Sequence, residues 1–141
     1  MASRIDRTRS VRGAVCGAAA AAVWALQQPI DKAVFRSSYD DVELLGRAVA
    51  GDGAWYPAGL FLHLGNGAVF GAMYANIAPA LPLPPALRGP VVALTEHVVL
   101  WPLGGVSDRF HPARADLPGL AGNKRAFAQA VWRHLLFGFV L

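Results

Sequence analysis

Long stretches without a charged side chain are the feature that most constrains how this 141-residue chain can fold. An ionised side chain at the centre of a bilayer costs about 3 kcal/mol, and a helix needs about 20 residues to cross the hydrocarbon. Stretches of about that length, with few charges, predict an all-α polytopic membrane protein. They predict a four-helix transmembrane bundle, with spans over about residues 13–30, 57–77, 89–105 and 121–141.

A short helix is also expected in the first loop, over about residues 40–50. Ser38, followed three residues later by Asp41, resembles a capping box ahead of an amphipathic run. We expect this helix to lie at the membrane interface. With no internal repeat, the chain divides into a basic N-terminal segment, residues 1–12, and a single bundle, residues 13–141.

The composition supports a membrane environment. Hydrophobic residues make up 55% of the chain and charged residues only 16%, against about 25% in soluble domains. Such an apolar chain is not intrinsically disordered. Its single cysteine cannot form an internal disulfide, and its Cys and His residues do not occur in the close pairs of structural zinc sites.

The basic N-terminal segment is interpreted as a membrane-topology signal. It contributes four arginines ahead of the first apolar stretch: Arg4, Arg7, Arg9 and Arg12. Positive charge is retained on the cytoplasmic side, which favours a cytoplasmic start and both termini inside. A cleaved secretory signal is the alternative interpretation. The net charge of +4 is therefore assigned to topology, and we expect a lipid bilayer and no nucleic acid as partner.

Six polar residues fall inside the predicted spans and form a candidate network: His63, Asn66, Glu96, His97, Arg133 and His134. Ionisable residues within a membrane have to be paired or neutralised. A rise of about 1.5 Å per residue places Glu96 and Arg133 within about 5 Å of the same depth. We predict an ion pair between them, which would either hold the bundle together or relay protons through Glu96.

Three of these residues are histidines, and imidazole can ligate metals and haem iron. The same depth count separates His63 and His134 by about 10 Å along the membrane normal. No Cys-x-x-Cys-His, Glu-x-x-His or His-x-x-x-His motif occurs. We therefore predict no metal and no cofactor, and no catalytic residue, because the sequence also lacks a phosphate loop, a nucleophile turn and a zinc-protease helix.

Small residues recur at the spacing that allows helices to approach closely. Gly13 and Gly17 lie four residues apart in the first span, as do Gly67 and Gly71 in the second. Such stripes support packing between membrane helices, either inside the bundle or at a homodimer face. The polar group Gln27, Gln28, Pro29 and Asp31 is expected to end the first span near an interface.

From about residue 60 to residue 141 the chain resembles the YagU-like group of small bacterial inner-membrane proteins. Three segments carry the resemblance: HLGNGAVFGAMYA from His63, ALTEHVVLWPLGG, and WRHLLFG near the end. It implies a polytopic protein of the bacterial inner membrane. It supplies no catalytic or ligand-binding residue.

These observations favour a small integral membrane protein that is not an enzyme and acts through helix or partner contacts. The partner would be a second copy of the chain or another membrane protein. A small proton- or ion-coupled transporter, or a channel-like subunit using Glu96, is the alternative. We expect the multi-pass protein in the cytoplasmic membrane of a bacterium.

Overall fold

The computed structural model describes residues 6–141, which fold as a bundle of α-helices without a strand. This confirms the predicted all-α class. The first five residues of the basic N-terminal segment, Arg4 among them, lie outside the described residues. The helices are α1 (Arg7–Phe35), α2 (Asp41–Ala50), α3 (Trp55–Ile77), α4 (Pro85–Leu100), α5 (Gly104–Phe110) and α6 (Lys124–Val140), with 3-10 turns at Ala78–Ala80 and Trp101–Leu103.

Within residues 6–141, no helix combines the length and the apolar character needed to cross a lipid bilayer. The four predicted membrane spans are therefore not supported. Two differences separate the helices from the uncharged stretches on which that prediction rested. Helix α1 includes charged residues at both ends, and α4 and α6 contain only 16 and 17 residues.

The start of α2 differs from the predicted capping box. Asp40, and not Ser38, is the N-cap residue, because its carboxylate accepts a hydrogen bond of 3.0 Å from the backbone N–H of Glu43. Asp6 and Asn123 cap α1 and α6 in the same way. A side-chain oxygen at this position satisfies one of the backbone donors that the first helical turn leaves unpaired.

Helix α1 continues past the point where it was expected to end. Pro29 lies inside the helix, although it has no N–H to bond the carbonyl of Ala25. The helix ends only at Phe35, where Arg36 adopts the left-handed conformation at φ 50°. The predicted end at Gln27, Gln28, Pro29 and Asp31 is wrong, because Asp31 is held in the bundle interior by residues of α6.

Glycine allows the backbones of α1 and α3 to touch. A Cβ atom on Gly17 would lie 2.0 Å from the carbonyl oxygen of Gly67, and one on Gly13 would lie 2.3 Å from that of Gly71. All four glycines are buried. The two predicted stripes therefore face each other inside one chain, and side chains at these positions would force the two helices apart.

The other closely packed helices use glycines that the sequence analysis did not single out. Gly46 of α2 lies against the backbone of Trp55, at the start of α3. Gly89 of α4 and Gly138 of α6 lie against each other in the same way. Helix α1 also packs on α6, so the neighbours run in the order α2, α3, α1, α6 and α4.

Candidate functional site: a buried charge cluster beside a cavity

A fully buried arginine lies at the junction of α1, α2 and α6. Arg133 has no exposed surface, and its guanidinium donates to Asp31 through Nε at 2.6 Å and Nη2 at 2.7 Å. Nη1 donates to Asp41 at 2.7 Å, and Nη2 also donates to the carbonyl of Tyr39 at 3.0 Å. Because a buried charge without partners is very costly, this arrangement is what makes Arg133 tolerable in the interior.

Further hydrogen bonds connect the residues around Arg133. Gln129 donates to Asp31 at 2.6 Å, and the Tyr39 hydroxyl donates to Asp41 at 2.5 Å. The Trp24 indole donates to Asp41 at 3.1 Å. We call Asp31, Tyr39, Asp41, Gln129 and Arg133 the Arg133 cluster. With two carboxylates ionised and one guanidinium, this cluster carries a formal charge of −1.

The surroundings of Asp41 keep it ionised. Burial alone would raise the pKa of this carboxyl, but the charge of Arg133 and the hydrogen bond from Tyr39 outweigh burial and lower its pKa below the ordinary 3.8. Burial and the neighbouring Asp41 charge raise the pKa of the Tyr39 phenol well above its ordinary value. At neutral pH the hydroxyl of Tyr39 therefore keeps the proton that it donates to Asp41.

The predicted ion pair between Glu96 and Arg133 is wrong. Glu96 lies 3.0 Å from Nε2 of His134, the residue after Arg133. Adjacent residues project about 100° apart around a helix, so a count of depth alone does not decide which of them faces Glu96. Asp31, which was expected at the end of the first span, is the partner of Arg133 instead.

His134 lies between two acceptor oxygens. Nδ1 of His134 lies 2.7 Å from the carbonyl oxygen of Ala130, and since a carbonyl only accepts, Nδ1 carries a hydrogen. Nε2 lies 3.0 Å from a carboxylate oxygen of Glu96, and both side chains are partly exposed.

The three predicted network histidines lie close together. The ring of Trp24 contacts His63 at 5.3 Å and His134 at 4.7 Å between centroids, so the inferred depth difference does not separate these two histidines. His97 stacks on His134 at 4.6 Å, and its Nε2 is buried without a hydrogen-bond partner. Among residues 6–141, no three His, Cys, Asp or Glu side chains are placed to bind a metal ion.

A cavity of about 360 Å³ lies beside these groups. It is bounded by α1, α2 and α3 on one side and by α4, α6 and the start of α5 on the other, because α3 and α4 do not pack together as the other neighbours do. Five of the six predicted network residues line it, and only Arg133 lies behind its wall. The polar lining is Asp41, His63, Asn66, Glu96, His97, Ser107 and His134, and the aromatic lining is Trp24, Tyr39, Phe70, Trp101 and Phe137.

The roles of Asp31 and Gln129 and the inward orientation of Asp41 were not predicted from the sequence. One signal could have indicated Asp31. The buried residues Gly17, Ala21, Trp24, Gln28 and Asp31 recur every three or four positions, which is the period of one helix face. That face continues across Pro29, past the predicted end of the helix.

Comparisons with protein-family models, with curated proteins and with solved structures find no match to this chain. The resemblance to the YagU-like group stays a prediction. The chemistry of the cavity and of the Arg133 cluster is therefore the basis for interpreting function.

Proposed function

We propose that this chain is a small binding protein, not an enzyme, whose ligand occupies the cavity between α3 and α4. The cavity itself is the observation that carries the proposal. Its volume of about 360 Å³ falls in the range of small-molecule pockets, which combine mostly apolar walls with a few polar groups. The walls here have that composition, with five aromatic side chains and a limited set of carboxylate, imidazole and amide groups.

The packing of α1 on α3 limits which surface could contact a partner protein. Gly13, Gly17, Gly67 and Gly71 were the basis for a homodimer face. They are buried between α1 and α3, so a second chain has no access to them. A partner protein would therefore have to use another surface, whereas a small ligand has a site already formed.

Two substitutions in α4 test the binding proposal. Leu100 lines the cavity, and its neighbour Val99 does not. Both are exposed enough to accept a larger side chain without disturbing the core. The probes are tert-butylbenzene and phenyltrimethylammonium, titrated separately by calorimetry into protein in mild detergent and into detergent alone.

We expect at least one probe to saturate a single site, and Leu100→Trp to weaken its binding by about tenfold or more because the new ring fills the cavity. Val99→Trp should bind like the unmodified protein. Absence of binding by both probes would overturn the proposal, and so would equal effects of the two tryptophan substitutions.

We further propose that the outer faces of the bundle lie against lipid, in the cytoplasmic membrane of a bacterium. Large apolar side chains point outward, with Leu26 79% and Phe61 77% exposed, while Asp31 and Arg133 are buried. Many large apolar side chains on the exterior are typical of an interaction with a membrane or a partner. No helix of residues 6–141 meets the requirements for crossing a bilayer. The proposal, which includes the four-span arrangement, therefore rests on the outward apolar side chains alone.

Membrane extraction tests the lipid proposal. The full-length protein should stay in the membrane pellet after alkaline carbonate treatment and should be released by detergent. A peripheral protein of the same membranes, which carbonate releases, serves as the control. Recovery of the protein in the carbonate supernatant, or in the soluble fraction before treatment, would contradict the proposal.

The contact of 3.0 Å between Glu96 and His134 favours a second candidate function, proton-coupled transport. Carboxyl and imidazole groups are the side chains that most often transfer protons. Glu96→Gln should then abolish proton-coupled flux in proteoliposomes while the helical content and the unfolding midpoint survive. Absence of flux in vesicles of the unmodified protein, under every imposed gradient, would remove this candidate.

A further inference from the structure

We infer that the cavity selects a small organic cation, an inference that rests on the proposed binding function. Charge is the first observation. Asp41 belongs both to the Arg133 cluster, with its formal charge of −1, and to the cavity wall, and Glu96 is a second carboxylate on the wall. Within residues 6–141, no lysine or arginine lines the cavity.

This charge acts beside walls that are mostly apolar. Electrostatic interactions strengthen as the effective dielectric constant falls, so a negative wall attracts a cation more strongly here than at an open surface. A cation that leaves water needs such compensation. The same wall would repel an anion, and it would add no charge attraction for a neutral molecule.

The aromatic lining is the second observation. Trp24 and Trp101 contribute electron-rich rings to the same cavity, together with two phenylalanines. The ring of Tyr39 also lines it but already contacts the Arg133 guanidinium, 5.4 Å from the ring centroid. Ring faces attract ammonium groups, and tryptophan does so most strongly. Sets of aromatic rings form the type of site that binds quaternary ammonium and other organic cations.

A pair of probes with matched shape tests the inference. Phenyltrimethylammonium and tert-butylbenzene have nearly the same size and outline, and they differ by one positive charge. We expect the cation to bind about tenfold more tightly or better, which the attraction of the rings and carboxylates should supply. Binding in each case is measured by calorimetry against detergent without protein.

Glu96→Gln is the more specific test, because it removes the negative charge of the side chain. It keeps the side-chain shape and a hydrogen-bonding group beside His134. This substitution should weaken the binding of phenyltrimethylammonium by about tenfold and leave the binding of tert-butylbenzene unchanged. Glu43→Gln is the matched control. Glu43 also lies beside a basic partner, Arg47, at 2.9 Å, but it does not line the cavity.

The outcomes separate the inference from the proposal beneath it. Equal affinity for the two probes overturns the inference and leaves the binding proposal standing. The role of the wall carboxylate is also overturned if the protein still prefers the cation after Glu96→Gln. The same holds if Glu43→Gln reduces this preference as much as Glu96→Gln does. Tighter binding of the anion benzenesulfonate than of the cation would overturn the charge argument altogether, whereas no binding of any probe defeats the binding proposal itself.

Discussion

Arg133 donates two side-by-side hydrogen bonds, of 2.6 and 2.7 Å, to the carboxylate of Asp31, which lies 102 residues earlier in the chain. A guanidinium that bonds both oxygens of one carboxylate fixes orientation as well as distance. The contact therefore sets how α1 and α6 are aligned. Because both side chains are buried, neither can turn to water when the other is removed.

Arg133→Met should destabilise the protein by about 3 to 5 kcal/mol, because it leaves the buried carboxylate of Asp31 and the partly buried one of Asp41 without their shared cation. The measurement is the free energy of unfolding from chemical denaturation, followed by circular dichroism. Arg125→Met is the matched control, since Arg125 is an exposed arginine of the same helix. Similar losses for the two variants would show that the buried cluster contributes nothing special.

Glu96→Gln should cost less than about 1 kcal/mol, because the Glu96–His134 contact is partly exposed. Its effect should add to that of Arg133→Met, since the two residues belong to separate pairs. The double variant, unfolded in the same way, checks the sum. A strong deviation from additivity would mean that Glu96 and Arg133 are coupled after all.

Gly17→Ala should destabilise the bundle by about 1 to 3 kcal/mol, because its Cβ would fall 2.0 Å from the carbonyl oxygen of Gly67. Gly65→Ala is the control in α3, where a Cβ meets nothing within 4 Å. That substitution should be neutral or stabilise by about 0.5 to 1 kcal/mol through helix propensity. Thermal unfolding of both variants measures the contrast, and equal effects would contradict the close backbone contact.

The protein should be less stable in acid because Asp41 becomes protonated. Its pKa is lowered in the folded state relative to the ordinary 3.8 of the unfolded chain. Its contribution is therefore complete above the unfolded pKa and is lost as the pH falls through the folded one, so the free energy of unfolding should drop below about pH 4.

Asp41→Asn should remove that part of the acid dependence, although it lowers stability at neutral pH. Unfolding midpoints measured across this pH range give the comparison, with the exposed residue Asp116, changed to Asn, as control. An unchanged acid profile in Asp41→Asn would refute the assignment.

The sequence predicted the helical class and five of the polar residues that line the cavity, because apolar periodicity and isolated polar residues are local signals. It did not predict which partner each polar residue has. Arg133 and His134 are neighbours, yet one bonds α1 and α2 and the other faces α4. Rotation about a helix axis and the passage of α1 through Pro29 decide those partners, and both depend on contacts between distant parts of the chain.

The position of Arg133 in the chain also has a consequence for how the protein assembles. Asp31 and Asp41 are synthesised 102 and 92 residues before the arginine that neutralises them. Until α6 is present, their carboxylates remain hydrated, and hydrated charges keep the inner faces of α1 and α2 from closing on apolar neighbours. The ion pairs that Asp31 and Asp41 form with Arg133 can therefore appear only after α6 has been synthesised.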